Sequence, residues 1–195
     1  MASGDITATT INVDGKDAAI FDGVDDYIDC GDDTSLNITN YVTISAWIKF
    51  SATHSDYANI AGRWENGEPS MYSIAVKSDN KIVFLSKNDG ETRDATSINT
   101  YNDGNWHFVV GYMDGSNVRL NIDNGVENIV GEAYTGDVTE NPTMPFKIGS
   151  WETGQYFNGS IDEVKIYNRA LSADEIRNLY EQRDEIHDPF VYKTV

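Results

Sequence analysis

The chain consists of short segments in which apolar and polar residues alternate. "VTISAWIKF" (42–50) and "VRLNI" (118–122) place every second side chain on an apolar face, which is the period of a half-buried β-strand. "NWHFVVGYM" (105–113) is apolar on both faces, as expected of a central strand that is covered on both sides. "MYSIAV" (71–76) and "KIVFLS" (81–86) predict two further strands.

Asp-Gly and Asn-Gly dipeptides separate these segments. Such pairs supply the positive φ that tight hairpins need, and between Asp89 and Asn124 they recur every 10 to 14 residues. This spacing is typical of a β-sandwich or barrel, and 195 residues suit one such domain. The pattern therefore predicts an all-β fold.

One helix follows the last strand. Ser172 and Glu175 match the Ser-x-x-Glu capping box, in which each side chain accepts a hydrogen bond from the other residue's backbone N–H. Ile176, Leu179 and Tyr180 share a helical face that can dock on the sandwich. After Glu181 the sequence is polar, so we predict a domain over residues 1–184 and a tail or linker over 185–195.

The charge excludes some classes of partner. Acidic residues outnumber basic ones by 32 to 14, a net charge of −18, whereas nucleic-acid binding relies on clustered Lys and Arg. The sequence has no apolar run long enough to span a membrane, and "MASGDITATT" lacks the apolar stretch of a signal peptide. Cys30 is the only cysteine, so no internal disulfide can form.

Three segments resemble the laminin G-like domains of the concanavalin A-like lectin/glucanase superfamily: "AAIFDGVDDYIDCGDDTSLNITNYVTISAWIKF", "GNWHFVVGYMDGSNVRLNIDNG" and "KIGSWETGQYFNGSIDEVKIYNRALSADEIRNLYEQ". The resemblance implies a jelly-roll β-sandwich of two antiparallel sheets with adjacent first and last strands, plus one short C-terminal helix. It also implies an extracellular or surface-exposed module that binds sugars or host surfaces, often within a larger secreted, adhesive or viral protein. Many members hold calcium.

Two aspartates lie where alternation predicts apolar residues. Asp162 shares a predicted strand face with Val164 and Ile166, and Asp22 ends an apolar strand. Buried carboxylates must be paired or coordinated, and adjacent terminal strands would let both converge on one Ca²⁺, with Asp25 completing the site. The alternative is that each carboxylate accepts hydrogen bonds from turn N–H groups.

The tryptophans fall into two groups. Trp47 and Trp106 lie inside predicted strands and are expected to pack in the interior. Trp64 and Trp151 lie in predicted loops beside polar residues, the mixture of flat rings and hydrogen-bonding groups that grips sugars. Alternatively, these rings cover the outer edge of a sheet. The predicted ligand-binding residues are Arg63, Trp64, Glu65, Asn66, Trp151, Glu152, Gln155 and Tyr156.

No signature of catalysis is visible. The Glu-x-Asp-x-x-Glu strand motif of the glucanase branch does not occur, and the three histidines lack zinc spacing. We therefore predict a non-catalytic, calcium-dependent carbohydrate-binding module whose partner is a glycan. The alternative is an adhesion or structural module on a viral or cell surface that binds protein without sugar.

Overall fold

The structure is a computed structural model that describes residues 10–13, 16–64, 70–88, 90–138, 141, 143–151 and 155–187. Within these residues the strands include each of the five segments in which the apolar pattern predicted one, and others that the pattern did not predict. They are β1 (Thr10–Val13), β2 (Lys16–Asp22), β3 (Ile28–Asp29), β4 (Thr43–Lys49), β5 (Ala58–Arg63), β6 (Tyr72–Val76), β7 (Ile82–Asn88), β8 (Glu91–Thr96), β9 (Trp106–Met113), β10 (Asn117–Ile122), β11 (Glu127–Ala133), β12 (Lys147–Ile148) and β13 (Asn158–Tyr167).

The strands form two antiparallel sheets. One has the order β1-β2-β13-β4-β9-β10-β11, and the other has the order β3-β12-β5-β6-β7-β8. Strand β13 pairs with both β2 and β4, so segments from the two ends of the chain are neighbours. The predicted jelly-roll β-sandwich with adjacent terminal strands is confirmed.

The main core lies between the sheets. The apolar face predicted for β4 is buried here as a whole, together with the alternate residues Val118, Leu120 and Ile122 of β10. Strand β9 is covered on both sides, because Val109 faces this core while Phe108 packs on the outer face of the sheet. Each buried Val, Leu, Ile or Phe side chain in this core stabilises the fold by about 1.5–3 kcal/mol.

Helix α1 (Ala173–His187) covers the outer face of the seven-stranded sheet. The predicted capping box is present: the Ser172 N–H donates to Glu175 Oε2 at 2.9 Å, and the Glu175 N–H donates to Ser172 Oγ at 3.3 Å. Ile176 is buried in a cluster with Trp47 and Phe108, as the helical face predicts. Among the described residues, no helix is long and apolar enough to cross a membrane.

The helix is longer than predicted. It continues beyond Glu181 to His187, because residues 182–187 contain neither glycine nor proline to end it. It therefore crosses the predicted domain boundary at residue 184, and residues 188–195 of the predicted tail lie outside the described part of the chain.

Strand β13 contains a β-bulge at the position of Asp162. Asp162 lies opposite Trp47 and Lys165 lies opposite Ser45, so β13 has two residues where β4 has one. Glu163 takes a φ of 48°, in the left-handed region, to accommodate the extra residue. The bulge breaks the period-two alternation of the strand.

The predicted place of Asp162 on the apolar face of β13 is therefore wrong, whereas Val164 and Ile166 do pack against the main core. Ile161 and Ile166 both contact the main core although they are five positions apart, which an unbroken strand would not allow. Asp162 instead lies on the outer side of the sheet, the side of its cross-strand partner Trp47. The carboxylate is not on the apolar face of the strand.

Candidate functional site

The turn after β2, residues 22–26, which we call the acidic turn, brings three aspartates together. Oxygens of Asp22, Asp25 and Asp26 lie within 4.8 Å of one another. Asp22 Oδ1 accepts a hydrogen bond from the Val24 N–H at 2.7 Å, and Asp26 Oδ2 accepts one from the Asp22 N–H at 3.1 Å. In this turn the aspartates therefore accept hydrogen bonds from backbone N–H groups and also form a cluster of carboxylates.

Asp162 is not part of this cluster. Asp22 pairs with Asn158 across the sheet, and Asp162 lies four residues further along β13. At a rise of about 3.3 Å per residue this separation is roughly 13 Å, too far for one ion to bind both carboxylates. Asp22 is itself exposed, because its neighbour Phe21 is the residue that enters the core. The predicted convergence of Asp22 and Asp162 is wrong, and Asp26 is the residue that joins the cluster.

The acidic turn fits a calcium ion by its chemistry. Calcium prefers carboxylate and carbonyl oxygens, and the three aspartates retain oxygens that take part in no backbone hydrogen bond. Asp26 is only 8% exposed. Among the described residues, no lysine or arginine forms an ion pair with the three carboxylates. A bound cation would offset the cost of holding these charges together.

Trp64 and Trp151 do not form an open sugar platform. They are 9% and 2% exposed and pack on the outer face of the six-stranded sheet against Ala75, Val83 and Leu85. The Trp151 indole N–H donates to Ser73 Oγ at 3.0 Å in the interior. The alternative interpretation of these rings, that they cover a sheet, matches the structure.

Arg63 is also buried. Its side chain is 0% exposed, and it donates to the Met144 carbonyl at 2.7 Å and to the Asn141 carbonyl at 3.0 Å. It therefore holds a surface loop and does not face solvent, contrary to its predicted ligand contact. The predicted ligand residues Glu65, Asn66 and Glu152 lie outside the described part of the chain.

Gln155 and Tyr156, also predicted as ligand residues, do line a cleft. This cleft has a volume of about 210 Å³ and lies at the end of the sandwich where β4 ends and β13 begins. We call it the proximal cleft, because Gly23 of the acidic turn is in its wall. Its lining residues are Gly23, Thr53, His54, Ser55, Asp56, Tyr57, Gln155, Tyr156 and Asn158.

Two polar atoms in residues that line the proximal cleft are buried without a hydrogen-bond partner: His54 Nδ1 and Gln155 Oε1. His54 Nε2 accepts a hydrogen bond from the Asn158 backbone N–H at 3.1 Å, which places the ring proton on Nδ1 as an unused donor. Burial lowers the pKa of His54, so the neutral form is favoured. Two residues of the cleft wall therefore have unused hydrogen-bonding atoms just behind its surface.

The aromatic contribution to the cleft comes from Tyr57 and Tyr156. The Tyr57 ring stacks on Trp151, with 5.3 Å between ring centroids and 24° between ring planes. Asp56 is fixed beside Tyr57, because its Oδ1 accepts a hydrogen bond from the Tyr57 N–H at 2.8 Å. The buried tryptophans thus support a tyrosine in the cleft wall and do not themselves face the ligand space.

Asn158 connects the cleft to the acidic turn. Its side-chain amide donates to the Asp22 carbonyl at 2.9 Å, while its backbone N–H donates to His54. Gly23 has a φ of 79°, and a Cβ there would lie 2.7 Å from Asn158 Cβ. Only glycine allows this close approach, so the "FDG" turn and the start of β13 form one rigid corner.

Among the residues of this arrangement that sequence reasoning missed are Asp26, His54, Asp56 and Tyr57. The "DGVDD" stretch was a visible signal for Asp26, since it is a second carboxylate one residue beyond Asp25. The others lie in "SATHSDYANI", where polar residues follow a strand end, and loops at strand ends carry binding residues.

The geometry agrees with a comparison of the sequence with protein families. A family model of the third laminin G group, described as the concanavalin A-like lectin/glucanases superfamily, matches residues 22–177. The chain belongs to this laminin G-like family. The matched region contains the acidic turn, the proximal cleft and the first turn of helix α1 of this laminin G-like domain.

Similar proteins come from several contexts. The domain is 26% identical over 172 residues to the adhesion G-protein coupled receptor V1 of Danio rerio, covering 78% of this chain and 3% of the receptor. The binding domain of Paraclostridial Mosquitocidal Protein 1 superimposes with a TM-score of 0.74 at 16% identity, covering 91% of this chain and 46% of that one. Domain 4 of the Geobacillus stearothermophilus extracellular arabinanase AbnA, solved with arabinotriose, gives 0.68 at 21% identity, covering 88% and 81%. The laminin G-like domain therefore spans a small part of the curated receptor that it matches.

Proposed function

We propose that this laminin G-like domain is a non-catalytic carbohydrate-binding module that holds a sugar in the proximal cleft beside a calcium ion at the acidic turn. The observation that carries the proposal is a polar cleft with two buried, unpartnered polar atoms next to a cluster of three carboxylates. The module would act outside the cell or on a surface, as part of a longer protein.

The cleft offers the groups that sugar binding uses. Tyr57 and Tyr156 supply ring surface, and Asp56, Gln155 and His54 supply acceptors and donors for hydroxyl groups. The volume of about 210 Å³ is below the roughly 300–1,000 Å³ of sites for drug-sized molecules. A single sugar residue at the end of a glycan is the ligand that this space suits.

Calcium would complete the acidic turn. Three carboxylates supply fewer than the six to eight oxygens that calcium takes, so the remaining positions would be filled by water, carbonyl groups or sugar hydroxyls. When bound, the ion would neutralise the aspartates and stiffen the corner between the "FDG" turn and Asn158. The arabinanase domain solved with arabinotriose supports the choice of a sugar as ligand on this fold.

A glycan array followed by calorimetry tests the sugar site. Asp56→Asn and Tyr156→Ala should each weaken binding of the best array ligand by about tenfold, the equivalent of about 1.4 kcal/mol. Asp33→Asn is the matched control, because Asp33 also accepts a turn N–H, from Ser35 at 2.8 Å, but lies outside the cleft. An array without any binding, or binding that neither cleft variant weakens, would contradict the proposal.

Thermal unfolding with calcium and with chelator tests the metal site. Calcium should raise the melting temperature of the wild-type protein, because an ion that binds only the folded state stabilises it. At a calcium concentration a hundredfold above Kd, the free energy of unfolding should rise by about 2.7 kcal/mol. Asp25→Asn should lose this response. Asp162→Asn is the control and should keep it, since Asp162 lies outside the cluster. If calcium raised the melting temperature of Asp25→Asn and Asp162→Asn equally, the ion would bind elsewhere.

A protein-binding adhesion or structural module is the second candidate function. It is favoured by the match to a segment of an adhesion receptor and by two exposed apolar side chains, Ile98 and Val126, which are 72% and 74% exposed. The Ile98 N–H donates to the carboxylate of Glu127, the residue that follows Val126. A silent glycan array together with specific capture of a cell-surface protein, lost in Ile98→Ser, would support this candidate.

A further inference from the structure

A second and larger cleft lies at the opposite end of the sandwich. It is formed by Asn40 and Tyr41 before β4, by Gly115 in the β9–β10 turn and by residues 134–137 after β11. The proximal cleft instead begins where β4 ends. We call this second space the distal cleft. Its volume is about 390 Å³, within the roughly 300–1,000 Å³ typical of small-molecule sites.

The three segments of the distal cleft are held together by hydrogen bonds. The Gly115 N–H donates to the Tyr134 hydroxyl at 2.8 Å, and the Tyr134 N–H donates to the Ser116 carbonyl at 3.0 Å. The Val138 N–H donates to the Thr39 carbonyl at 2.6 Å, which fixes the far side of the loop against the segment before Tyr41. The cleft is therefore a built feature that three loops share.

Glycine keeps this cleft open and positions one of its rings. Gly115 has a φ of 96°, and a Cβ there would lie 3.0 Å from Tyr41 Cε1. The Tyr41 side chain thus rests against a backbone position that only glycine fits well, and yet it is 47% exposed. A tyrosine that is held in place while much of its surface faces solvent is a preformed contact surface for a ligand.

The lining determines the class of ligand. Two phenol groups and the Asn40 amide can hydrogen-bond to a polyhydroxylated molecule, and the tyrosine rings can pack on its C–H groups. In the described part of the chain, the lining carries Asp137 and no Lys or Arg. Together with a net charge of −18, this disfavours sialylated or sulfated glycans by repulsion.

From this geometry we propose that the distal cleft is a separate binding site for neutral oligosaccharides. The site does not share a residue with the proximal cleft, so the two can be tested separately. If both bind sugar, the domain presents two sites at opposite ends and can bridge two chains of one polysaccharide or two glycans on a surface. Such bridging raises the avidity without any further contact.

Amide NMR of the ¹⁵N-labelled protein tests the distal cleft. Gly115 and Gly136 report on the distal cleft and Gly23 on the proximal one. Arabinotriose, cellotriose and maltotriose are titrated to about 10 mM, tenfold above a Kd of about 1 mM. We expect at least one of them to shift the Gly115 and Gly136 signals in a saturable manner, and Tyr41→Ala to weaken that response by about tenfold.

The controls separate this site from the proximal one and from other ligands. Tyr156→Ala should leave the distal shifts unchanged, and Tyr41→Ala should leave any Gly23 shift unchanged. Sialyllactose should bind the distal cleft less well than the neutral sugars, and Asp137→Asn should reduce that difference. No shift of Gly115 and Gly136 with any neutral sugar would overturn the proposal, as would stronger shifts with sialyllactose or with trilysine, the probe for a basic peptide.

Discussion

The two outer faces of this sandwich are both covered, but by different means. Helix α1 covers the seven-stranded sheet, where Tyr180 stacks on Trp47 with 5.3 Å between ring centroids. The six-stranded sheet has no helix in the described part of the chain and is covered by Tyr57, Trp64 and Trp151. One cover is a continuous segment, and the other is assembled from loops that are about ninety residues apart in sequence.

This difference explains where binding residues can lie. Helix α1 presents one regular apolar face to its sheet and is capped at its start. A cover made of separate rings ends at a loop, and Tyr57 occupies that end, with Trp151 behind it and the proximal cleft in front. The loop-covered face is thus continuous with the candidate site.

Truncation of the loop cover should have the largest effect. Trp151→Ala should lower the free energy of unfolding by about 3–5 kcal/mol, because it removes a buried ring and leaves Ser73 without its indole partner. Chemical denaturation measures this loss. Trp151→Phe should cost less, since it keeps the stacking on Tyr57. Unchanged stability of the alanine variant would show that the loop cover contributes little to the fold.

The helical cover should respond next. Ile176→Ala should cost about 2–5 kcal/mol, the usual range for truncating a buried aliphatic side chain, because Ile176 is buried between the helix and the sheet. Asn178→Ala is the matched control on the exposed side of the same helix and should change stability by less than about 0.5 kcal/mol. Equal effects of the two substitutions would contradict the packing of this face.

The start of the helix should show a smaller effect. Ser172→Ala removes both hydrogen bonds of its hydroxyl to Glu175 and should cost about 1 kcal/mol in thermal or chemical unfolding. Ser172→Asp should retain most of the stability, because aspartate also caps helices well. A loss equal to that of Ile176→Ala would contradict this order and would mean that the cap contributes as much to the cover as the apolar face does.

A change of pH should give the smallest effect, about 1 kcal/mol or less, and it arises outside both covers. Burial disfavours the charged form of His107, but hydrogen bonds to Asp123 at 2.8 Å and to Asp103 at 3.1 Å outweigh it and raise the pKa of His107. The folded protein therefore holds a proton that the unfolded chain releases above about pH 6.5. This contribution is complete below pH 6.5 and is lost as the pH rises through the folded pKa.

His54 should act with the opposite sign. Its pKa is lowered by burial, so its contribution is complete above about pH 6.5 and is lost as the pH falls towards the folded pKa. Unfolding free energies of the wild-type, His107→Gln and His54→Gln proteins between pH 5 and 8 check both signs. A His107→Gln protein that still loses stability as the pH rises from 6.5 would contradict the assignment.

The two covers also differ in how far they could be predicted from the sequence. The helical cover was predictable in detail, because the capping box and the face of Ile176 are separated by only a few residues. The loop cover was not, because alternation does not say that Trp64 and Trp151 meet, with 5.9 Å between ring centroids. Both rings therefore resembled exposed ligand residues, although both are buried.

Asp162 shows the same limit within one strand. Its place on the apolar face followed from strict alternation, and a single bulge with Glu163 at positive φ reversed it. Asp25 and Asp26, by contrast, lie close to Asp22 because they are three and four residues away. Clusters within one turn can be predicted from sequence, whereas clusters across strands depend on register.

The sequence by itself determined the all-β class, the inward faces of β4 and β10 and the capped helix, because each of these follows from a local period or a motif within one segment. The tertiary structure alone decided which loops meet: it buried Arg63 and both loop tryptophans, moved Asp162 away from the acidic turn and created clefts at the two ends. These outcomes depend on strand register and on the packing of residues far apart in the chain, which no short-range pattern encodes.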